Sequence, residues 1–435
     1  MSKLQSRSKL QSRSKLKIQP VKGTRDFYPE DLSVQNFYFN KAREIAKRFG
    51  YEEYDGPILE PLALYEDKSG EELVNEQTFI LKDRGDRKLA LRPEMTPTLA
   101  RMVAQKQAEL VKPIRWFNIG PRFRYEKPQK GRSRQFYQWD VDLIGEDTPE
   151  ADGEVIAIAA TFLKELGLTP NEVKIKVNDR RLMEEKLKLI GITGDKFLKV
   201  LSAIDKKAKM EQDEWQSWLS EIGLTHSQIR DLQGILKDKD FSQESESLTR
   251  IFSTLSDLGL SSFVEFDPSV VRGLDYYTGT VFEACEVSGE FRSILGGGRY
   301  DNLVATVGGN PTSGVGFAAG DCVLEEVLEK YQKISSVKIT SSQVLVTVFD
   351  EARFRISIQL AAKLREAKIN TSLYLDPKEK LEKQLKYADA KKIPYVVIIG
   401  PQEEAKNEVA LRDMNKKTQE NIPMESLIDY LRRRS

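Results

Sequence analysis

The sequence predicts an α+β protein of two or three domains: a mixed domain interrupted by a helical insertion, then a small α/β domain. Three observations carry that reading. Runs rich in aromatic and β-branched residues alternate with helices between Val21 and about residue 177, and strands with glycines return from Phe263 to Glu329. Between them, Asn178 to Ser262 is charged and helical, closed by the loop-like Ser261-Ser262. After Ser341, short buried-type strands alternate with helical stretches, which implies βαβ units and a small, mostly parallel sheet. At 435 residues the chain is also too long for a single core.

In chain order, residues 1–20 open with a repeat: Ser2-Lys3-Leu4-Gln5-Ser6-Arg7 recurs at Ser8 to Arg13, and no acid occurs before Asp26. This reads as a disordered basic tail, with a transit peptide as the alternative. Leu32 to Arg48 has the pattern of an amphipathic helix, with Gly50 as its stop. Gly56 to Leu64 is strand-like. Trp116 to Tyr125 and Phe136 to Ile144 read as two strands around a charged loop. Lys333 to Ser342 is the linker, where periodicity lapses. In the last domain, residues 341–435, the strands are Val344 to Val348, Ser372 to Leu375 and Tyr395 to Ile399. The helices between them are Glu351 to Ala367 and Leu381 to Lys391.

Composition narrows the chemistry. No apolar run approaches the ~20 residues that cross a bilayer, so no membrane partner is expected. Net charge is +1, so any nucleic-acid contact must come from local patches. The two cysteines, Cys285 and Cys322, lack a C-x-x-C spacing and read as small buried hydrophobes in a reducing, cytoplasmic setting. The one histidine, His226, lies in a polar helical stretch and reads as a solvated surface residue. His-metal clusters and Ser-His-Asp or Cys-His catalysis are thereby set aside, and no protein metal site is expected. Arginines, carboxylates and hydroxyls remain.

They are concentrated in two places. Phe117 to Asp142 is an antiparallel hairpin with an arginine ending one strand, a basic loop, and an aromatic return strand. Guanidinium suits phosphate because its planar donors grip two oxygens and never deprotonate. Gln138 and Asp142 alternate along the return strand and so share a face. Val270-Val271-Arg272-Gly273-Leu274-Asp275-Tyr276-Tyr277-Thr278-Gly279 sets a cation, an acid and two tyrosines between apolar runs. A core strand would not bury so many polar groups, so the segment reads as a ligand-facing wall.

That last segment resembles the histidine-binding signature of histidyl-tRNA synthetases. Glu60-Pro61 resembles motif 1 of class II synthetases, and Phe123-Arg124-Tyr125-Glu126 through Asp142 resembles motif 2. Leu91-Arg92-Pro93-Glu94-Met95-Thr96 is similar to the amino-acid-binding loop, and Gly296-Gly297-Gly298-Arg299-Tyr300-Asp301 to the second signature. Lys22-Gly23-Thr24-Arg25-Asp26 and the C-terminal domain also match. The resemblance runs from Val21 to the end in the family's order. It implies a class II catalytic domain with an antiparallel sheet (21–335, helical insertion about 178–262) and a C-terminal α/β anticodon-binding domain (341–435). It implies activation of L-histidine by ATP to histidyl-adenylate, transfer of histidine to the 3′ end of tRNA(His), Mg²⁺ with the ATP, and a homodimer through motif 1.

Residue by residue, the resemblance makes Glu94, Met95, Thr96, Arg124, Gln138, Asp142, Arg272, Tyr276 and Tyr277 the histidine site. Glu94, Thr96 and Gln138 would hold the α-amino group, and Asp142 and Tyr277 the two imidazole nitrogens. Arg124, Glu126, Arg132 and Phe136 would bind ATP, with Phe136 stacking adenine. Arg272 and Arg124 would be the catalytic cations. One position departs from the pattern. Where motif 3 usually carries an arginine for the γ-phosphate, Gly320 is followed by Asp321-Cys322-Val323, with Val323 at that place. Arg299 is a candidate substitute, weaker or altered ATP binding is another outcome, and Asp321 is a candidate for a Mg²⁺-bridged phosphate. Lys378, Lys380, Lys383 and Lys386 near Tyr387 are candidates for RNA backbone contacts, against a solvated helical face. Two other readings compete: a non-catalytic synthetase-like regulatory subunit of histidine biosynthesis, and a synthetase-like RNA-binding regulator.

Overall fold

The structure is a computed structural model that describes residues 18–66, 77–207, 210–272, 276–335, 337 and 340–434. The repeated N-terminal segment lies outside the described residues, as do Gly273, Leu274 and Asp275 of the tyrosine signature. The chain forms two compact units, one built on residues 37–335 and one on residues 336–435 with Phe27–Asn36. A helix from Pro29 to Arg48 starts earlier than its apolar pattern, because proline's fixed φ suits a first turn. Gly50 follows it at φ 81°.

Eleven strands belong to the first unit: β1 (Glu52–Glu53), β2 (Leu59–Pro61), β3 (Ile80–Lys82), β4 (Lys88–Leu91), β5 (Ile114–Phe123), β6 (Gln135–Ile144), β7 (Val173–Asp179), β8 (Val264–Phe266), β9 (Thr280–Glu286), β10 (Leu295–Arg299) and β11 (Gly314–Gly320). Eight form one sheet in the order β1-β5-β6-β11-β10-β9-β7-β8, antiparallel except at its two outer pairs. β2, β4 and β3 form a separate antiparallel sheet. The predicted hairpin is β5–β6, paired from Ile114↔Ile144 to Phe123↔Gln135.

One face of the large sheet is core. Trp139 meets Phe162 of the helix Pro149–Glu165 at 4.7 Å between ring centroids and Phe317 at 5.1 Å. The other face is open along its middle, and the register shows why. Asp142, Gly316 and Gly298 lie in one row, and Asp140, Ala318, Gly296 and Glu283 in another. The two central strands thus present only glycine and alanine, and a trough opens between polar side chains of β6 and β9. The glycine run Gly296 to Gly298 lies in the buried strand β10.

Between β7 and β8, which pair with each other, the described residues form five α-helices from Arg180–Leu189 to Glu246–Asp257. The last of these packs on Pro149–Glu165, where a Cβ on Gly153 would lie only 3.0 Å from Thr254 Cγ2, so the glycine permits the close approach. His226 is exposed at the first position of its helix, behind a Thr225 capping box.

The second unit has β12 (Val344–Val346), β13 (Thr371–Leu373), β14 (Tyr395–Ile398), β15 (Glu408–Asp413) and β16 (Thr418–Pro423), in the order β13-β12-β14-β15-β16. The first three are parallel and the last two antiparallel. The expected mostly parallel sheet is therefore mixed. The polar Thr418–Pro423 carries no strand pattern, since it is an edge exposed along most of its length. In β12, Val344 and Val346 face one core and Leu345 the other, so both sheet faces are covered.

Candidate active site

A cleft of about 1700 Å³ lies on the open face of the eight-stranded sheet. It gathers Glu94, Thr96, Arg124, Glu126, Arg132, Phe136, Gln138, Asp142, Arg272, Tyr276 and Tyr277. These come from three segments far apart in sequence: 94–96, the hairpin 124–142, and 272–277. Met95 is the exception among the expected site residues. Its side chain is fully buried against Arg92, 3.6 Å from Nη1, and faces Gly56, so it packs rather than touching a ligand.

β6 supplies one wall. Phe136, Gln138, Asp140 and Asp142 alternate onto the cleft side, as the period-two pattern requires. Asp142 accepts a hydrogen bond from the Tyr300 hydroxyl at 2.5 Å through Oδ1. Among the described residues, its Oδ2 and the Gln138 Oε1 are buried without a protein donor. Burial pushes the Asp142 carboxyl up to about 8; the Tyr300 bond opposes this and the nearby Asp140 adds to it. Gly316 leaves room for that carboxylate, since a Cβ there would lie 2.2 Å from Asp142 Oδ1. Asp140 pairs with the buried Arg122 at 2.7 Å.

The hairpin loop supplies cations. Arg124 donates through Nε to the Pro93 carbonyl at 3.0 Å, and its guanidinium stands 5.1 Å from the Phe136 ring centroid. Arg132 lies 3.0 Å from a Glu126 carboxylate oxygen. Gly23 ties the loop down by accepting from Arg134 N at 2.7 Å and Ser133 Oγ at 2.6 Å.

The opposite wall is the tyrosine signature. Tyr276 donates to Glu94 Oε2 at 3.2 Å. Burial raises the Tyr277 hydroxyl to about 12, so it stays a neutral donor. Arg272 sits at φ 53°, an uncommon left-handed conformation for a residue with a side chain, of a kind that clusters at functional sites. Its Nη1 donates to Glu283 Oε2 at 3.2 Å, and its guanidinium carbon lies where a Cβ on Gly296 would come within 2.3 Å. The glycine is there to let the cation cross the sheet.

Two expected substitutes for the missing motif 3 arginine are ruled out by placement. Arg299 is buried and spent on Asp152, at 2.6 Å, on Asp147, and on the Thr148 carbonyl. Asp321 is fully buried, pairs with Arg25 and accepts from Tyr137 N at 3.1 Å, so it does not face the cleft. Tyr300 orients Asp142, whereas Asp301 accepts from Thr278 Oγ1 at 2.6 Å within the loop.

The sequence reading missed the support layer behind the cleft. Arg92 reaches Asp55 at 2.7 Å and the Pro121 carbonyl at 3.1 Å, while Arg122 binds Asn118 at 2.7 Å. Alternation of Asn118 and Arg122 in β5 was the available signal. Cys285 and Cys322 are partly rather than fully buried and unpaired, and burial lifts both thiols to about 12, well away from reactive thiolates. In the second unit, Lys383 and Lys386 pair with Glu379 and Glu382 one turn away, at 2.5 and 2.7 Å. That is the pattern of a solvated helix face.

The profile of the family described as histidyl-tRNA synthetase matches residues 23–321, and that of an anticodon binding domain matches residues 343–434. A histidine–tRNA ligase of Leptospira biflexa is 37% identical over 415 residues, covering 92% of this chain and 93% of that protein. The chloroplastic/mitochondrial histidine–tRNA ligase of Arabidopsis thaliana is 36% identical, covering 94% and 86%. Among solved structures, the histidyl-tRNA synthetase of Nostoc sp. PCC 7120 shares the fold with a TM-score of 0.85 at 24% identity, covering 97% of this chain and all of that one. The apo enzyme of S. aureus superposes with a TM-score of 0.69 at 26% identity, covering 95% and 99%.

Proposed function

The chain belongs to the histidyl-tRNA synthetase family, and we propose that the cleft on its large sheet performs the family's reaction with the residues named above. It is a histidine–tRNA ligase, an aminoacyl-tRNA ligase with its own anticodon-binding domain. A carboxylate oxygen of histidine bonds to the α-phosphorus of ATP, the α,β-anhydride breaks, and pyrophosphate leaves. The terminal ribose hydroxyl of the tRNA then attacks the adenylate carbonyl and AMP leaves. Neither step needs a protein nucleophile, so positioning and electrostatics carry the rate.

The observation that carries the assignment of residues is the pair of buried, unpartnered acceptors, Asp142 Oδ2 and Gln138 Oε1, facing the cations Arg124 and Arg272. Buried acceptors without donors are costly in an empty site. An imidazole N–H on Asp142 and an ammonium on Gln138, Glu94 and Thr96 would satisfy them. Tyr277 then serves the second ring nitrogen. An amino acid lacking the ring would leave these groups unpaired, the strongest kind of discrimination. Arg272 meets the carboxylate and α-phosphate, and Arg124 and Arg132 grip phosphates beside Phe136.

Mg²⁺ fits as a companion of ATP. Among the described residues no group of three carboxylates or other ligands gathers to hold a metal. Glu126 and Glu283 line the cleft beside the cations, so the ion would be held mainly by phosphate oxygens and water. Bound there, it would neutralise phosphate charge. A homodimer through the motif 1 sheet and a cytoplasmic setting complete the reading. Unpaired Cys285 and Cys322 are compatible with a reducing compartment.

Histidine-dependent ATP–pyrophosphate exchange, measured against all twenty amino acids without tRNA, tests it. Exchange with histidine alone is expected. No exchange, with histidine binding retained by calorimetry, would turn the assignment toward a regulatory subunit.

A further inference from the structure

Val323 replaces the cation expected at the phosphate end of the ATP site, and its surroundings identify what stands in. The Val323 Cγ2 packs 3.1 Å from the place of a Cβ on Gly131, in the turn at the tip of the motif 2 loop. Gly131 N donates to Glu326 Oε1 at 3.1 Å, so the helix starting at Asp321 meets this loop with a methyl and a carboxylate. The loop between β9 and β10 closes the same wall. Lys130 Nζ lies 3.1 Å from Glu290 Oε1 and 4.6 Å from the Phe291 ring centroid. Lys330 Nζ lies 3.1 Å from Glu290 Oε2 and 5.2 Å from the same ring. Glu290 and Phe291, gripped by two lysines, fix the next residue, Arg292, on the cleft wall with Arg132.

Arg292 is exposed to the cleft and has no hydrogen bond or ion pair among the described residues. Partial burial, and then the charge of Arg132, make its protonated state less comfortable than usual. Glu126 opposes this, but its carboxylate is paired with Arg132 at 3.0 Å, and two neighbouring guanidiniums that share one acid are completed by an anion with several oxygens.

We propose that Arg292 replaces the motif 3 arginine and binds the terminal phosphates of ATP. It meets the charge that develops on the β-phosphate oxygen as the α,β-anhydride breaks and pyrophosphate departs. This rests on the ATP-dependent reading above. Its test uses the full-length protein and the variants Arg292→Ala, Arg292→Lys and the double variant Arg292→Ala/Val323→Arg.

In pyrophosphate exchange, Arg292→Ala is expected to raise KM for ATP and for pyrophosphate about 10-fold or more, with KM for histidine within about twofold. Lysine recovers part of the loss. An arginine at position 323 lowers the ATP KM of the alanine variant again. ATP and pyrophosphate KM unchanged in Arg292→Ala would overturn the proposal, and so would an equal rise in histidine KM. Calorimetric titration of Mg·ATP into the unaltered and Arg292→Ala proteins separates this from the parent reading. A matched affinity sinks the Arg292 assignment even where exchange is intact, while absent exchange with a 10-fold affinity difference sinks only the parent reading.

Discussion

Asp142 shows at the scale of one residue how binding function opposes stability. Its carboxyl is buried, takes one hydrogen bond from Tyr300, and leaves Oδ2 open. A folded pKa of about 8 against an ordinary 3.8 means that the unfolded chain loses this proton first as pH rises. The contribution to stability is therefore full below about pH 3.8, falls as pH climbs, and is gone by about pH 8. Asp142→Asn removes the titration while keeping the shape. The variant is expected to melt higher than the unaltered protein at pH 8, with a smaller gain at pH 5, and to lose histidine-dependent exchange. Differential scanning calorimetry at both pH values checks the first part; an equal shift at both would show that Asp142 is not held near neutrality. Histidine should narrow the gap, since its ring N–H supplies the missing donor.

At the scale of elements, β10 and β11 are strands whose cleft side is bare. A strand gains from branched side chains, and Gly296 to Gly298 forgoes that gain so that Arg272 and Tyr277 can lie across the sheet. Gly296→Ala sets a methyl group where the Arg272 guanidinium now rests. The exchange rate is expected to fall about 100-fold or more. The melting temperature should move by only about 2–4 °C, because alanine is otherwise well tolerated in a strand. An active alanine variant would mean that the cation acts from elsewhere. The hairpin β5–β6 was readable in advance because its period-two pattern and its charges sit together. So were the residues that gather in the cleft, apart from Met95, from the motifs that carry the resemblance. The buried network of Arg92, Arg122, Asn118 and Asp140 had only the alternation of Asn118 and Arg122 as its signal, since an ion pair in the core has the same letters as one in solvent. β15 and β16 escaped for the opposite reason: their hydrogen-bonded pairing, from Glu408↔Pro423 to Asp413↔Thr418, does not depend on an apolar pattern in the outer strand. Arg292 escaped as well, because its importance comes from a neighbour that is missing.

For the whole molecule, the proposed homodimer would make the small sheet of β2, β4 and β3 a link between assembly and catalysis. The sheet's register places Leu59 beside Leu91, Pro61 beside Leu89, and Leu89 beside Leu81, so these five share one face. Leu59 is 45% exposed and Leu81 44%, and Pro61 is exposed between them. Glu60 points to the other side, buried and paired with Arg101 at 2.7 Å, so this strand is anchored by its polar residue and shows its apolar ones. An apolar sheet face left open in this way suits a second copy of the chain, meeting it about a twofold axis. The consequence for activity follows from chain connectivity. β4 ends at Leu91, and the next residues are Arg92, which bonds back to the Ile58 carbonyl through its N–H, then Glu94 and Thr96 of the cleft. Covering the face therefore steadies the loop that holds the substrate ammonium. Leu59→Lys with Leu81→Lys is expected to give a monomer in sedimentation velocity and to raise KM for histidine in exchange. The KM for ATP should change less, since the motif 2 loop is tied to Gly23 instead. A double variant that sediments like the unaltered protein would remove this face from the interface. A monomer with unaltered histidine KM would keep the interface and break its link to the site.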